Sequence, residues 1–255
     1  MQPRPVIRPE GSRRRTILFV AAAVLVAILA AGGYGLWYLF LQAPGPAAIG
    51  DATLPPVATP SGASSQPLAS GGISGTWNVD TSIGSFSDFS SSFVGYRVQE
   101  QLASIGANTA VGRTPNVSGS LTIDGTKVTA VTVTADLTSL QSDDHRRDGQ
   151  LDRQGLQTGQ FPTGTFRLTS PIDLGSVPAD GQEIQVTAAG QLTLHGQTKD
   201  VQVPLKAKLT GSTIAVSGSL PIAFADYGIE KPNSFMVLTI ADQGTMEFQL
   251  FFTHA

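Results

Sequence analysis

The most constraining feature of this chain is period-two patterning between residues 182 and 224. Apolar and polar side chains alternate through three successive segments, which break at Gly196 and again at Gly211. Side chains alternate across an extended strand, so each segment is predicted to bury one face and to expose the other to solvent. Short Gly-containing turns between such strands indicate an antiparallel meander. Strands of about ten residues favour a closed or nearly closed barrel, because closure removes exposed sheet edges.

The rest of the C-terminal region adds strand signals and one helical signal. Further strands are predicted near residues 75–80, 91–98, 117–124, 127–137, 163–169, 236–240 and 245–252. Residues 100–115 show no clear period, so they are predicted as a short helix and a loop. The polar run 143–155 is predicted to be helical, with Ser142 or Asp143 as its cap. These patterns predict an all-β domain of about eight strands.

Charge and composition exclude several classes of function. The net charge of −3 conceals an asymmetry, because from residue 73 onward there are 11 basic and 17 acidic side chains. An acidic domain without a basic stripe argues against nucleic-acid binding, which depends on neutralising phosphates. The chain contains no cysteine, which excludes disulfides, thiolate catalysis and cysteine-based zinc sites.

The N-terminal region is predicted to contain a membrane anchor. Residues 17–41 form a run of 25 residues without a charge. As a helix this run would be about 37 Å long, enough to cross a hydrocarbon core of about 30 Å. Tyr34, Trp37 and Tyr38 lie near its far end, where aromatic belts occur, and five arginines precede it in the tail 1–16. The positive-inside rule then predicts a cytoplasmic N-terminus and an extracytoplasmic C-terminal domain.

Two further interpretations concern this region. Ser12 followed by three arginines faintly resembles a twin-arginine export signal, but the apolar run is longer than is usual for a cleaved signal. Residues 42–72 are rich in Pro, Ala, Ser and Gly and hold few large apolar groups, so they are predicted to be a disordered or partly extended spacer. The predicted domain therefore comprises residues 73–255.

Four motifs within this domain occur in the order of a known family. They are Trp77-Asn78-Val79-Asp80, the approach segment His145–Leu151 with its continuation Gln160–Phe166, the run Gly190–Val201, and Asp226-Tyr227-Gly228-Ile229. On these residues the domain resembles the YceI-like family of polyisoprenoid-binding, lipocalin-like β-barrels. The resemblance implies an eight-stranded antiparallel barrel with one short helix and an apolar tunnel for a long isoprenoid or other amphiphilic lipid. Two departures are the absence of histidine from residues 92–98 and a segment 99–115 that looks longer than usual.

The candidate ligand-binding residues combine apolar stripes with a few polar groups. They are Phe93, Tyr96, Arg97, Leu151, Phe161, Phe166, Leu192, Leu194, His195, Tyr227, Met246 and Phe248. Alternatives remain open for several of them. The solvent-facing position is favoured for Arg97, fixing of the turn is favoured for His195, and the stripe that contains Met246 and Phe248 is core by default.

The leading prediction is a membrane-anchored, extracytoplasmic lipid-binding barrel. A structural or interaction module of the cell envelope with a filled barrel is the main alternative, and an isoprenoid-modifying enzyme is a third. No nucleophile elbow, zinc-protease motif or phosphate loop is present in the sequence. We therefore predict a binding protein, not an enzyme, with no catalytic residues, no metal site and no cofactor; its partners are predicted to be the lipid and the membrane, and not nucleic acid.

Overall fold

The computed structural model describes residues 23–32, 46–49, 72–103, 106–233 and 237–255. The chain divides into two compact units, Met1–Pro44 and Gly45–Ala255, and the second contains every described strand. Residues 23–32 are helical, whereas the rest of the predicted span 17–41, the tail 1–16 and most of the spacer 42–72 lie outside the described residues. Among the residues that the structure describes, no helix combines the length and the apolar character that crossing a bilayer requires.

The second unit contains twelve strands in its described residues. In chain order they are β1 (Gly75–Val79), β2 (Phe93–Leu102), β3 (Gly106–Thr114), β4 (Val117–Asp124), β5 (Lys127–Asp136), β6 (Gln141–Ser142), β7 (Thr163–Leu168), β8 (Ile172–Asp173), β9 (Glu183–Leu194), β10 (Gln197–Thr210), β11 (Thr213–Ala223) and β12 (Val237–His254). One short helix, α1 (His145–Gln150), continues into a π-helical turn, Leu151–Gly155. Short 3₁₀ turns cover Phe86–Asp88, Leu137–Ser139 and Phe224–Tyr227.

Eight antiparallel strands close into a barrel. Their order is β1-β4-β5-β7-β9-β10-β11-β12, and the C-terminal end of β12 returns to pair with β1, where Phe252 lies opposite Val79. The rest of the same edge of β12 pairs with β2, and β2 pairs in turn with β3. The β2–β3 hairpin therefore continues the sheet beyond the short strand β1. This closure confirms the predicted barrel and leaves no free edge between β1 and β12.

The predicted alternation decides which side chains face the interior. One continuous cluster of buried apolar side chains draws members from the closed strands, including Trp77, Leu121, Val133, Leu192 and Val203. Their sequence neighbours on the opposite parity point away from this cluster, as expected for strands with one buried face.

The prediction of a short helix and a loop over residues 100–115 is wrong. Residues up to Leu102 belong to β2, and Gly106–Thr114 is strand β3. The period is hidden because β3 is buried on both faces: residues 110–114 are all buried. Strands that are covered on both sides lose the polar alternation by which a half-buried strand is recognised.

Two other boundaries differ in detail. The two strands predicted at 236–240 and 245–252 are parts of one strand, β12, whose pairing with β2 is irregular between Ile240 and Gly244. The helix predicted over 143–155 is confirmed, but its cap is Asp144, whose side chain accepts a hydrogen bond from the Arg146 N–H at 2.8 Å.

Candidate functional site

The lower end of the barrel, which carries the turns at Gly125 and Gly211, is closed by packed side chains. Trp77 is fully buried, and its Nε1–H donates a hydrogen bond to the Ile73 carbonyl at 2.9 Å. A buried indole N–H needs such a partner. The other members of this floor are Leu121, Ile123, Leu209, Ile214 and Phe252. The lumen therefore ends at a sealed apolar floor.

Three aromatic rings lie over glycines of neighbouring strands on the inner wall. The pairs are Tyr96 over Gly112, Phe166 over Gly190 and Phe248 over Gly218. A Cβ at Gly218, for example, would come within 2.7 Å of Phe248 Cζ, which is too close for two carbon atoms that are not bonded. Glycine in a strand often marks such a close approach. Each ring therefore packs closely against the backbone of the neighbouring strand.

Other inward-facing side chains above the floor keep accessible surface. Besides Phe166, the half-buried members are Leu168, Leu194, Val201, Leu205 and Met246. These residues pack against the core cluster, yet none is fully covered by other side chains. The lumen wall thus offers accessible apolar surface, in contrast to the sealed floor.

Tyr96 brings a polar atom to the inner wall. In the described part of the chain its hydroxyl is buried and has no hydrogen-bond partner. Burial raises the pKa of Tyr96 above its ordinary value, so the phenol stays neutral at physiological pH. A buried hydroxyl without a partner is costly, which makes this group ready to bond a polar atom of a ligand.

An ion pair joins the end of β2 to helix α1 at the upper end of the barrel. Glu100 Oε1 accepts hydrogen bonds from Arg147 Nη2 at 2.8 Å and from Asn108 Nδ2 at 2.7 Å. Arg147 also pairs with Asp143. Burial opposes the charge of Arg147, but the carboxylates of Glu100 and Asp143 outweigh it and raise the pKa of the guanidinium. This pair fixes α1 across the upper end, close to the Tyr96 hydroxyl.

His195 connects two turns at the same end. His195 and Gly196 form the two-residue β9–β10 turn with φ values of 50° and 72°, as a type I′ hairpin requires. The His195 Nδ1 lies 3.0 Å from the Tyr227 carbonyl, and since a carbonyl can only accept, Nδ1–H is the donor. The Phe161 ring packs 4.4 Å from the imidazole, measured between centroids. His195 Nε2 is buried, and no partner for it lies among the described residues.

The twelve predicted ligand residues fall into three places. Six face the lumen: Tyr96, Phe166, Leu192, Leu194, Met246 and Phe248. Phe161, His195 and Tyr227 form the corner at the upper end, and Leu151 begins the π-helical turn beside Gly155. Phe93 and Arg97 lie on the outer wall, not in the lumen. Ligand contact by any of them stays a prediction, and the described residues include no cluster of three or more potential metal ligands.

The outer wall carries an ion cluster that the sequence did not predict. Glu247 Oε2 lies 2.7 Å from Arg97 Nε, and its Oε1 lies 2.6 Å from Arg113 Nη2. The Arg113 guanidinium carbon is 4.3 Å from the ring centroids of both Phe89 and Phe93, a cation–π geometry. Arg97 is therefore neither solvent-facing nor lumenal: it points outward but is covered.

One sequence signal for this covered wall was available. Phe251 and Phe252 are consecutive, so strand β12 is apolar on both parities at its end. Phe251 packs with Ala215 and Ile83 outside the lumen, where the loop 80–92 covers the wall. Phe251 faces outward on the same parity as Glu247 and Gln249. An apolar residue at an outward position indicates that this face of β12 is covered, and with it the side chains of Glu247 and Gln249.

Comparison with known proteins agrees with this geometry. The model of the YceI-like domain matches residues 77–252. The chain belongs to the YceI-like domain family. A UPF0312 protein of Shewanella oneidensis is 30% identical to this YceI-like chain over 135 residues, which cover 49% of this chain and 67% of the relative. A UPF0312 protein of Shewanella sp. strain W3-18-1 is 29% identical over the same length.

A solved structure supports the same fold. It is a polyisoprenoid binding domain from Saccharophagus degradans, implicated in plant cell wall breakdown. Its TM-score to the YceI-like chain is 0.55 at 20% sequence identity, and the match covers 70% of this chain and 98% of that domain. At this identity the likeness concerns the fold.

Proposed function

We propose that this protein binds a long-chain isoprenoid, or a similar amphiphilic lipid, along the barrel lumen. The observation that carries the proposal is the inner wall, where aromatic rings rest over glycines and other apolar side chains keep accessible surface. The S. degradans domain is described as polyisoprenoid-binding, which supports the same class of ligand here. The arrangement of the wall does not favour a barrel filled by its own side chains, the alternative interaction module.

The affinity would come from burial of the lipid chain, at about 0.8 kcal/mol per methylene. Because the lower end is sealed by Trp77 and its neighbours, the polar end of the lipid is expected at the upper end. Tyr96 Oη and His195 Nε2 are two buried polar atoms without partners among the described residues. The hydroxyl can donate and the imidazole nitrogen can accept, so a headgroup hydroxyl would satisfy either atom, whereas a headgroup carbonyl would satisfy only the Tyr96 hydroxyl.

We also infer that the chain is anchored by residues 17–41, with the tail 1–16 in the cytoplasm and the barrel outside it. The support is the uncharged run and the five arginines that precede it. A barrel in this place can hold or hand over a membrane lipid by binding alone, without covalent chemistry. A C-terminal reporter enzyme that is active only outside the cytoplasm tests the orientation, and an inactive reporter would contradict it.

Lipid content tests the binding proposal. The full chain is purified in mild detergent, and bound lipid is extracted and identified by mass spectrometry. Leu205→Trp places a large ring into the lumen from the inner face of β10, whereas Gln202→Trp places the same ring on the exposed outer face of that strand. We expect lipid in the unmodified chain and in Gln202→Trp, and at least a tenfold lower content in Leu205→Trp.

Two results would contradict this proposal. One is an unmodified chain that carries no lipid and takes up no added isoprenoid. The other is equal lipid content in both tryptophan variants, because binding that is unaffected by a large ring on the inner face of β10 does not take place in the lumen.

A further inference from the structure

The outer wall holds a covered cluster with an excess positive charge, formed by Arg97, Arg113 and Glu247. One carboxylate is shared by two guanidinium groups. The side chains of Arg97, Arg113 and Glu247 are only 15%, 4% and 1% exposed. Covered guanidinium N–H groups without partners are costly, and a single carboxylate cannot serve all of them. The cluster therefore needs further acceptors from outside the three side chains.

Main-chain carbonyls of residues 46–49 supply these acceptors. Arg97 Nη2 donates to the Pro46 carbonyl, and Arg113 Nη2 donates to the Ala47 carbonyl at 3.1 Å. Pro46 and Ile49 are half-buried, whereas Ala47 and Ala48 between them are exposed, as expected for a short segment that rests on the wall through its first and last residues.

Arg113 has further contacts within the barrel unit. The rings of Phe89 and Phe93 each lie 4.3 Å from its guanidinium carbon, and Glu247 takes its Nε–H at 2.8 Å. Burial lowers the pKa of Arg113, and the Glu247 carboxylate opposes that effect. Arg113 Nη2 donates both to Glu247 Oε1 at 2.6 Å and to the Ala47 carbonyl at 3.1 Å. The segment 46–49 thus supplies an acceptor in addition to the single carboxylate of the cluster.

We propose that Arg97 and Arg113 form a docking site that holds the chain's own segment 46–49 on the outer wall of the barrel. The segment lies within the predicted spacer 42–72, so its docking divides those 31 residues into a short part, 42–45, and a longer part, 50–72. The docking depends neither on lipid binding nor on the proposed anchor.

Spin labels test the docking in the full chain. Because the protein has no cysteine, Ala48→Cys and Gln202→Cys provide the only two labelling sites. Both residues are exposed. Pulsed electron resonance in detergent should give one narrow distance distribution. Arg97→Met removes one charge-assisted hydrogen bond and should reduce the ratio of docked to undocked segments about tenfold or more, which broadens the distribution.

Matched controls keep the result interpretable. Arg167→Met makes the same change at an exposed arginine of β7 and should leave the distribution narrow. Pro46→Gly with Ile49→Ser alters no barrel residue and should broaden it, even if Arg97→Met perturbs folding. A distribution that is already broad in the unmodified sequence, or one that stays narrow in both docking variants, would overturn the proposal. So would broadening on addition of phosphatidylglycerol vesicles, because the arginines would then serve lipid phosphates.

Discussion

Replacing Gly112 by alanine should push Tyr96 off the inner wall and destabilise the barrel. The new Cβ would lie 2.7 Å from Tyr96 Cζ and 2.8 Å from its Oη, whereas favourable contacts lie at about 3.5–4.0 Å. The three nearest atoms all belong to the Tyr96 side chain, so the ring, not the backbone, must move. Overpacking of this kind costs about 1–3 kcal/mol, and alanine recovers about 0.4–1 kcal/mol by restricting the unfolded chain. We expect a net loss of about 1–2 kcal/mol in the free energy of unfolding.

A double-mutant cycle with Tyr96→Ala measures this contact. Urea unfolding followed by circular dichroism gives the free energy of unfolding of each single variant and of the double variant. Without the phenol ring, alanine at position 112 should be neutral or slightly stabilising. Bound lipid should fall in Gly112→Ala, because the displaced ring enters the lumen, and should recover in the double variant. An equal cost of Gly112→Ala in both backgrounds would mean that the Tyr96 ring does not lie over the glycine.

Two further predictions concern charge. Glu247→Gln leaves Arg97 and Arg113 covered without a counterion, so we expect the free energy of unfolding, measured in urea, to fall by about 3–5 kcal/mol. The same change at the exposed Glu183 should alter it by no more than about 0.5 kcal/mol. Equal effects of the two changes would contradict a buried cluster. Burial raises the pKa of Tyr96, so its contribution to stability is present below the unfolded-state pKa of about 10 and is lost as the pH rises above it. Melting temperatures from pH 8 to 12 should therefore fall less steeply in Tyr96→Phe, and identical slopes would argue against a buried phenol.

Much of the fold follows from local sequence. In β9, β10 and β11 one face is buried and the other is exposed to solvent. The alternation of apolar and polar residues around Leu192, Val203 and Ile222 can therefore be recognised without knowing which strands pair. The polar run that becomes α1 is likewise recognisable within a few residues. Six of the predicted ligand residues face the lumen for the same reason: parity along a strand determines which side chains share a face.

The rest required tertiary structure. The wall glycines could not be recognised as partners of aromatic rings, because Gly190 and Phe166 lie on different strands. Arg97 pairs with Glu247, which lies 150 residues further along the chain, and no local sequence pattern predicts such a pairing.

The β class, the strands with one solvent-exposed face and the polar helix can be predicted from local sequence, because each of them depends on periodicity over a few residues. The strand β3, the position of Arg97 and Phe93 outside the lumen and the contact of residues 46–49 with the barrel become visible only in the folded chain. These features depend on which parts of the chain cover the outer wall. The loop 80–92 and the segment 46–49 bury outward faces that would otherwise be wet, and burial on both sides removes the alternation from which a strand is predicted.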